Sequence, residues 1–531
     1  MLTYFVIIPI LIATFLYLFS SAKTGRIIAI AVQALLFVFS FYLFLISREN
    51  EVITNIGNFD GLLGISLRAD GLSAAFVLLT SFIFLIAAIY SFNEKNSRLF
   101  WFLLFIWESS LIGIFLTRDF FNIFVLLEVA NVVVTIMIMY LRRSRSLYDG
   151  LIYLMANLVA VQFYLFGIGY LYRIAGAMDM EAVAYVISVF PREVWVLPYA
   201  LIMTTVAFKC ALLPLYSWLP KAHGTPGAPS TVSAILSGLH IKTGVYMFLR
   251  FQAVFGDVAV PQFFLSVGII TGVIGVIMAL SQTDIKLILA YSTIAQIGLI
   301  IIGLGLDGQY SHIGSLYHII NHALFKSALF LAAGIITHVY HTRDITKISC
   351  VLKRSPAVGI ASLLAIFGIA GVPLFNGSIS KYFIMSGVTQ PMFWVINIIN
   401  LGTITVFIKF SSILFGNTHN LHKESHTSKT QIAAVTILGI LCFAGGIFGA
   451  QFVSFFFGIP VNIDFLGYIE KVVIFALSVG IGYLIFKRFV MTSPILERVK
   501  KIDIGFRGIC VCLGIFFAIT LIITRTFGYP S

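Results

Sequence analysis

Apolar residues run along this chain in long blocks separated by short polar segments. Stretches of about 20 predominantly hydrophobic residues, enough to cross a hydrocarbon core of roughly 30 Å, lie near 2–20, 27–47, 71–92, 99–117, 120–141, 149–172, 196–216, 229–252, 262–280, 286–306, 311–339, 354–390, 391–415, 431–455, 468–488 and 505–525. The pattern predicts an all-α, polytopic membrane protein with about 14–16 transmembrane helices. Composition agrees: 60% of residues are hydrophobic, 10% are charged and mean hydropathy is +1.03, whereas a water-soluble domain is about a quarter charged.

The net charge of +13 is not gathered on one face, as a nucleic-acid surface requires, but follows topology. Loops after odd-numbered stretches hold about 21 of the 34 Lys and Arg, including Arg142, Arg143 and Arg145, then Arg343, Lys347, Lys353 and Arg354, then Lys487, Arg488, Arg498, Lys500 and Lys501. The positive-inside rule then puts those loops in the cytoplasm and both termini outside it, in the cell membrane. The first stretch has neither a basic leader nor a small-residue cleavage site, so it reads as a retained span.

Five lysines interrupt the apolar pattern: Lys209, Lys242, Lys326, Lys381 and Lys409. A lysine at the centre of a membrane helix costs roughly 2.5–3.5 kcal/mol on insertion scales, so each needs a partner, a wet cavity or a function. Residues 99–252 and 262–415 form two units of five stretches, flanked by N-terminal helices in 1–98 and C-terminal helices in 416–531. The fourth members carry Lys209 and Lys381, and the fifth members Lys242 and Lys409. An odd number of spans per unit inverts the second copy, as in the inverted repeats of ion-coupled transporters. Both fourth members also look broken. Lys209 precedes Pro214, Pro220, Pro226 and Pro229, while Pro373 and a Gly-rich segment precede Lys381. Proline removes a helix donor, and freed backbone is tolerated at membrane depth only against protein or internal water.

Carboxylates are sparse. Glu108 and Glu128 are the candidates well inside spans, and Glu128 facing Lys209 would form a pair that holds both groups charged. His318, His322 and Lys326 recur every four residues on one helix face, a stripe able to pass protons through water. A zinc site would want further ligands, and HIINH has Asn321 where the metalloprotease motif has glutamate. A haem pair would want a matched histidine on another helix, for which His240 is the candidate. His419, His422 and His426 read as solvated loop residues. Cys210, Cys350, Cys442, Cys510 and Cys512 have no iron-sulfur or zinc spacing. With no phosphate loop either, the chain is expected to bind no cofactor or metal and to carry no redox centre of its own.

The run from Phe208, FKCALLPLYSWLPKAHGTPGAPSTVSAILSGLHIKTGVYMFLR, with DIKLILAYSTIAQIG from Asp284, HALFKSALFLAAG from His322 and GVPLFNGSISK from Gly371, resembles the antiporter-like subunit family. That family comprises proton-pumping membrane subunits of complex I, large subunits of Mrp-type Na+/H+ antiporters, and counterparts in membrane-bound hydrogenases and related ferredoxin-driven complexes. The resemblance covers most of residues 70–390. It implies a fourteen-helix core with two inverted five-helix repeats, broken seventh and twelfth helices, and a central polar axis. On that resemblance Glu128, Lys209, Lys242, His322 and Lys381 match the family's ion-path residues, with His318 and Lys326 beside them. Glu108, His240 and Lys409 are secondary candidates.

The chain departs from the family core by two extra spans after about residue 456, joined by a short basic connection from Lys487 to Arg507 in place of a long lateral helix. That argues against the largest complex I antiporter subunit and leaves a hydrogenase-type or related ferredoxin-driven complex, an Mrp-type antiporter or one of the shorter complex I subunits, with the first two favoured. The expected activity is proton translocation along the Lys/His/Glu axis, within an assembly of other membrane subunits that include related antiporter-like chains. Any iron-sulfur, nickel-iron or flavin centre would then sit on partner subunits. Na+/H+ antiport in a stand-alone Mrp complex is the alternative, and a haem or quinone oxidoreductase a more distant one.

Overall fold

The computed structural model describes residues 1–19, 22–59, 64–416 and 427–527, and among these it is helical almost throughout. The N-terminal helices are α1 (Thr3–Phe19), α2 (Ala22–Ser47) and α3 (Gly71–Ser91). The first five-span unit comprises α4 (Arg98–Leu116), α5 (Phe120–Ile138), α6 (Ser144–Ala175), the lateral α7 (Met180–Val189), α8 (Val196–Lys209), α9 (Trp218–Gly224), α10 (Ser230–Ile235) and α11 (Ile241–Phe255). The second comprises α12 (Pro261–Ser281), α13 (Ile285–Leu304), α14 (Gln309–Tyr340), α15 (Val351–Arg354), α16 (Pro356–Ala370), α17 (Asn376–Met385) and α18 (Gln390–Ser411). The C-terminal helices are α19 (Lys429–Ile447), α20 (Gly449–Phe457), α21 (Phe465–Ile485), α22 (Pro494–Lys500) and α23 (Phe506–Phe527). His419, His422 and His426 lie outside the described residues.

Thirteen helices, counting α10–α11 as one, are long and apolar enough to cross a membrane. The 17-residue α1 and the interrupted helices α8–α9 and α16–α17 fall on three further apolar blocks, so that each of the sixteen blocks is helical among the described residues. The protein is a polytopic all-α membrane protein. Between α2 and α3 a short hairpin, β1 (Val52–Asn55) and β2 (Ser66–Ala69), pairs Val52 with Ala69 and Asn55 with Ser66. It marks one end of the bundle, the hairpin end.

Aspartates at helix starts expose the internal symmetry. Asp119 and Asp179 cap α5 and α7 by accepting backbone N–H bonds, and their backbones meet in an antiparallel bridge at the hairpin end. Asp284 and Asp344 do the same at the opposite end. Such caps satisfy donors that a helix start leaves unpaired. Asp119 to Asp284 and Asp179 to Asp344 are each 165 positions apart, and the same offset carries α6 onto α14, both 32 residues long. The two units are therefore copies of one another, upside down.

The helices beyond the core wrap both copies. The start of α21 docks beside α17 and its length lies on α18, α22 crosses α12 at the opposite end, and α23 packs on α8 and α6. An ion pair between Lys221 and Asp503, and a 3.1 Å bond from Lys500 Nζ to Thr283 Oγ1, tie the connecting segment to that end.

Candidate functional site: a buried polar axis

Lys209 is the last residue of α8 and is 2% exposed. The chain leaves the helix there, with Pro214 unable to donate to the preceding turn. Gly244 of α11 lets the break come close: a Cβ there would lie 2.7 Å from Cys210 N. Lys209 Nζ donates to Asn131 Oδ1 at 2.6 Å and to Asn157 Oδ1 at 2.7 Å. Asn131 Nδ2 in turn donates to Glu128 Oε1 at 3.2 Å. The expected contact between Glu128 and Lys209 is thus corrected: the Asn131 amide stands between them, and Glu128 lies half-buried on the outer flank of α5. The charges remain coupled through an oriented dipole, while the flank stays open to a neighbour.

His240 sits deeper, at the end of a π-helical turn spanning Leu236–His240. The Trp107 indole donates to its Nδ1 at 3.3 Å, and Tyr153 Oη lies 3.1 Å from its Nε2. Indole is a donor only, so Nδ1 must offer its lone pair. A second ring proton would set donor against donor, and this geometry holds the ring neutral.

Lys242 follows on α11, with Nζ 2.7 Å from the Ser237 carbonyl and 2.6 Å from His322 Nδ1. Here the two copies meet, since α11 belongs to the first and α14 to the second. A proton can move from ammonium to imidazole along that single contact. His322 Nε2 is buried without a partner among the described residues. One turn earlier, His318 Nε2 faces Gln296 Oε1 at 3.0 Å and its Nδ1 faces Ser380 Oγ at 2.9 Å. The amide oxygen only accepts, so Nε2 carries a proton. The Ser380 hydroxyl can donate to Nδ1 or turn its proton to the Asn376 carbonyl, 3.2 Å away, so His318 is satisfied neutral or charged. Lys326 completes the stripe, held by the Leu289 carbonyl at 2.9 Å and by Ser292 Oγ.

Lys381 lies on α17, past the second break, and its Nζ donates to the carbonyls of Ile369 at 2.9 Å and Ala370 at 3.4 Å. Those carbonyls are free for a reason written in the sequence. The residue four beyond Ile369 is Pro373, which has no N–H. The residue four beyond Ala370 is Leu374, whose N–H goes instead to Tyr468 Oη at 3.2 Å. Gly377 allows the close fold-back, since a Cβ there would lie 1.9 Å from Gly368 O.

The lysine pattern is thus equivalent in place rather than in register. Lys209 ends the half-helix before its break, while Lys381 reaches back from the half-helix after its break. Lys409 is not a counterpart of Lys242: its Nζ caps α12 through the Leu280 and Gln282 carbonyls, both at 2.6 Å. Thr403, one and a half turns earlier on α18, reaches the axis instead through Gln296 at 3.1 Å. Glu108 is fully buried, 2.5 Å from Gln33 Nε2, and is not hydrogen-bonded to the axis groups.

Reading charged residues alone misses several polar groups. Asn131, Asn157, Gln296 and Ser380 make the decisive contacts; Asn131 stands one turn after Glu128, the signal that could have flagged it. Lys471, in the apolar block IEKVVIFALSV, reads along the chain as a span end. At the opposite end a cavity of about 910 Å³ is lined by Glu94, Tyr140, Arg143, Ser230, Lys286 and His338, among others. Burial pushes the Glu94 carboxyl above its ordinary range, against bonds from Asn96 and Gln431. At the hairpin end Asp70 takes Arg250 at 2.6 Å and Arg118 at 2.9 Å. Burial would raise its carboxyl, but the two guanidiniums outweigh that and hold it well below the usual range.

Residues 117–409 match the family described as NADH:quinone oxidoreductase/Mrp antiporter, transmembrane. A Na(+)/H(+) antiporter subunit of Alkalihalophilus pseudofirmus is 31% identical over 390 residues, covering 71% of this chain and 78% of that protein. Hydrogenase-4 component B of Escherichia coli is 28% identical over 422 residues, covering 71% of this chain and 62% of that protein. The fold matches a chain of the Mrp complex from a Dietzia species with a TM-score of 0.79 at 23% identity, covering 89% of this chain and 98% of that one. It matches a chain of an archaeal membrane-bound sulfane sulfur reductase equally, with a TM-score of 0.79 at 21% identity, 90% of this chain and 99% of that one. Both solved neighbours belong to membrane complexes. The family match over residues 117–409, more than half of the chain, together with the 31% identity to the antiporter subunit, makes this chain a member of the NADH:quinone oxidoreductase/Mrp antiporter transmembrane family.

Proposed function

We propose that this chain is a proton-translocating, antiporter-like subunit of a larger membrane complex. The observation that carries the reading is the 2.6 Å contact of Lys242 with His322, which joins two buried polar clusters across the centre of the inverted repeat. Protons enter from the cavity at the opposite end, where Glu94 supplies a carboxylate and Pro229 and Ser230 mark the join of the broken helix to α10. They pass Lys242, His322 and His318 and leave by Lys381. Basic loops with Arg142, Arg143, Arg343, Lys347 and Arg354 lie at that entry end, which supports a cytoplasmic entry and termini outside, in the cell membrane. Glu128, half-buried on the flank and linked to Lys209 by Asn131, couples the subunit to a neighbouring membrane chain.

The 31% identity over 78% of a Na(+)/H(+) antiporter subunit favours an Mrp-type assembly as the parent complex; the redox-driven alternative rests on the hydrogenase relative and places every redox centre on partner chains. Sodium is poorly served by an axis lined with ammonium groups, since it wants several oxygen ligands.

The test is proton movement into vesicles reconstituted with the whole complex. Lys242→Met and Lys381→Met should each lower it by about 10²-fold, the scale of a lost proton-transfer group, with assembly intact. Lys209→Ala and Glu128→Ala should also pump poorly, and Lys326→Ala should do less. Normal pumping by Lys242→Met would overturn the reading.

A further inference from the structure

The helix α21 is nearly bare: Leu466, Val473, Leu477 and Leu484 are all exposed. Yet its first turns are built into the surroundings of Lys381. Asp464 caps the helix, accepting from Gly467 N at 2.8 Å. Tyr468 Oη takes the Leu374 N–H and lies 3.1 Å from Ser378 Oγ, which leaves the Ala370 carbonyl for Lys381. One turn on, Lys471 points back into the protein. Its ammonium is shielded from solvent and has no hydrogen-bond partner among the described residues. It sits 5.9 Å from the ring centres of both Tyr468 and Tyr382, the latter adjacent to Lys381 in sequence. Two aromatic faces stabilise a cation without taking its protons, so all three ammonium hydrogens remain free to transfer.

Beyond Lys471 lies a cavity of about 250 Å³ at the hairpin end, walled by Tyr382, Ser386, Asn397, Gly467 and Glu470, with Lys471 on its lining. Lys471 thus reaches a cavity whose lining does not include Lys381, and it lies close enough to Lys381 for their charges to interact. The charged and titratable groups facing it are Lys381 and Tyr382 from α17, His318 from α14, and Tyr468 and Glu470 from its own helix. The wall from α18 is neutral, through Phe393 and Asn397.

Resting on the proton-path reading above, we propose that Lys471 is an additional relay residue, supplied by a helix outside the fourteen-helix core, which takes the proton released by Lys381 and passes it to water in the hairpin-end cavity. In the step Lys381 ammonium loses one proton and becomes the neutral amine, and Lys471 amine gains it; Lys471 then protonates cavity water and returns to the amine. An unpaired ammonium buried in membrane is costly, and alternation between charged and neutral forms limits that cost to part of the cycle.

The experiment compares Lys471→Met, Lys471→Arg and Lys471→His with Lys381→Met, in the intact complex reconstituted into vesicles, reading proton movement by a pH dye and assembly by co-purification. Lys471→Met should assemble normally and lower transport by about tenfold or more. Lys471→Arg keeps the charge but cannot release its proton, and should be equally impaired. Lys471→His should retain transport with its pH profile moved toward acid, a displacement that a packing role would not produce. Full activity in Lys471→Met or Lys471→Arg, with Lys381→Met inactive, overturns the inference and leaves the path reading intact. Full activity in Lys381→Met as well overturns the path reading itself.

Discussion

Two buried histidines, one in each copy, sit in contrasting hydrogen-bond settings. His240, in the first copy, is pinned between an indole N–H and a tyrosine hydroxyl and has room for one proton. His318, in the second, faces an amide oxygen and a serine hydroxyl that can turn either way. The offset of 165 extends the contrast: Glu128 corresponds to Thr293, Asn131 to Gln296, Tyr153 to His318 and Asn157 to His322. One ancestral layout therefore carries a carboxylate and amides around its lysine in the first copy, and imidazoles in the second. On the proposed path, a carboxylate linked to a lysine through an amide would sense charge, and imidazoles between lysines would conduct it. The difference teaches that the copies kept their backbone and diverged in which side chains titrate.

The sharpest way to break this comparison is to remove each ring. His318→Phe should lower proton movement by about 10²-fold, while His240→Phe, measured in the same vesicles, should keep most of it. Equal losses would dissolve the distinction. Next, Asn131→Leu removes the amide between Glu128 and Lys209 without touching either charge, and should lower transport by about tenfold. In a double-mutant cycle with Glu128→Ala the two losses should not add. Additive losses would place Glu128 outside the lysine's circuit.

A smaller effect separates scaffold from path. Asp70→Asn leaves Arg118 and Arg250 without their carboxylate at the hairpin end of the first copy, and should cost about 1–3 kcal/mol of stability with the transport mechanism unchanged. Because the Asp70 carboxyl lies below its ordinary value in the folded protein, its contribution is fully present above a pH of about 4 and is lost as pH falls through the depressed value. Thermal unfolding of wild type and variant in detergent should therefore differ by a constant amount near neutrality. The gap should close only in strong acid.

Much of the architecture is readable because it is local. A block of apolar residues specifies a crossing whatever it packs against, and among the described residues each of the sixteen blocks is helical, thirteen of them as helices long and apolar enough to cross a membrane. Pro214 and Pro373 announce their breaks through a missing N–H, wherever the helix lies. Lysines at depth announce themselves by their cost.

Partnership is not readable, since it depends on which helices meet. Nothing along the chain says that Asn131 stands between Glu128 and Lys209, or that Lys409 caps α12 while Thr403 reaches the axis. Lys471 resembles the end of a span until α21 folds against the second break. The amino-acid order determined how many helices cross, where two of them break and which charges must be buried. Tertiary structure alone decided who neutralises whom, because hydrogen bonds extend only about 3 Å and contacts that close are set by packing between helices far apart in the chain.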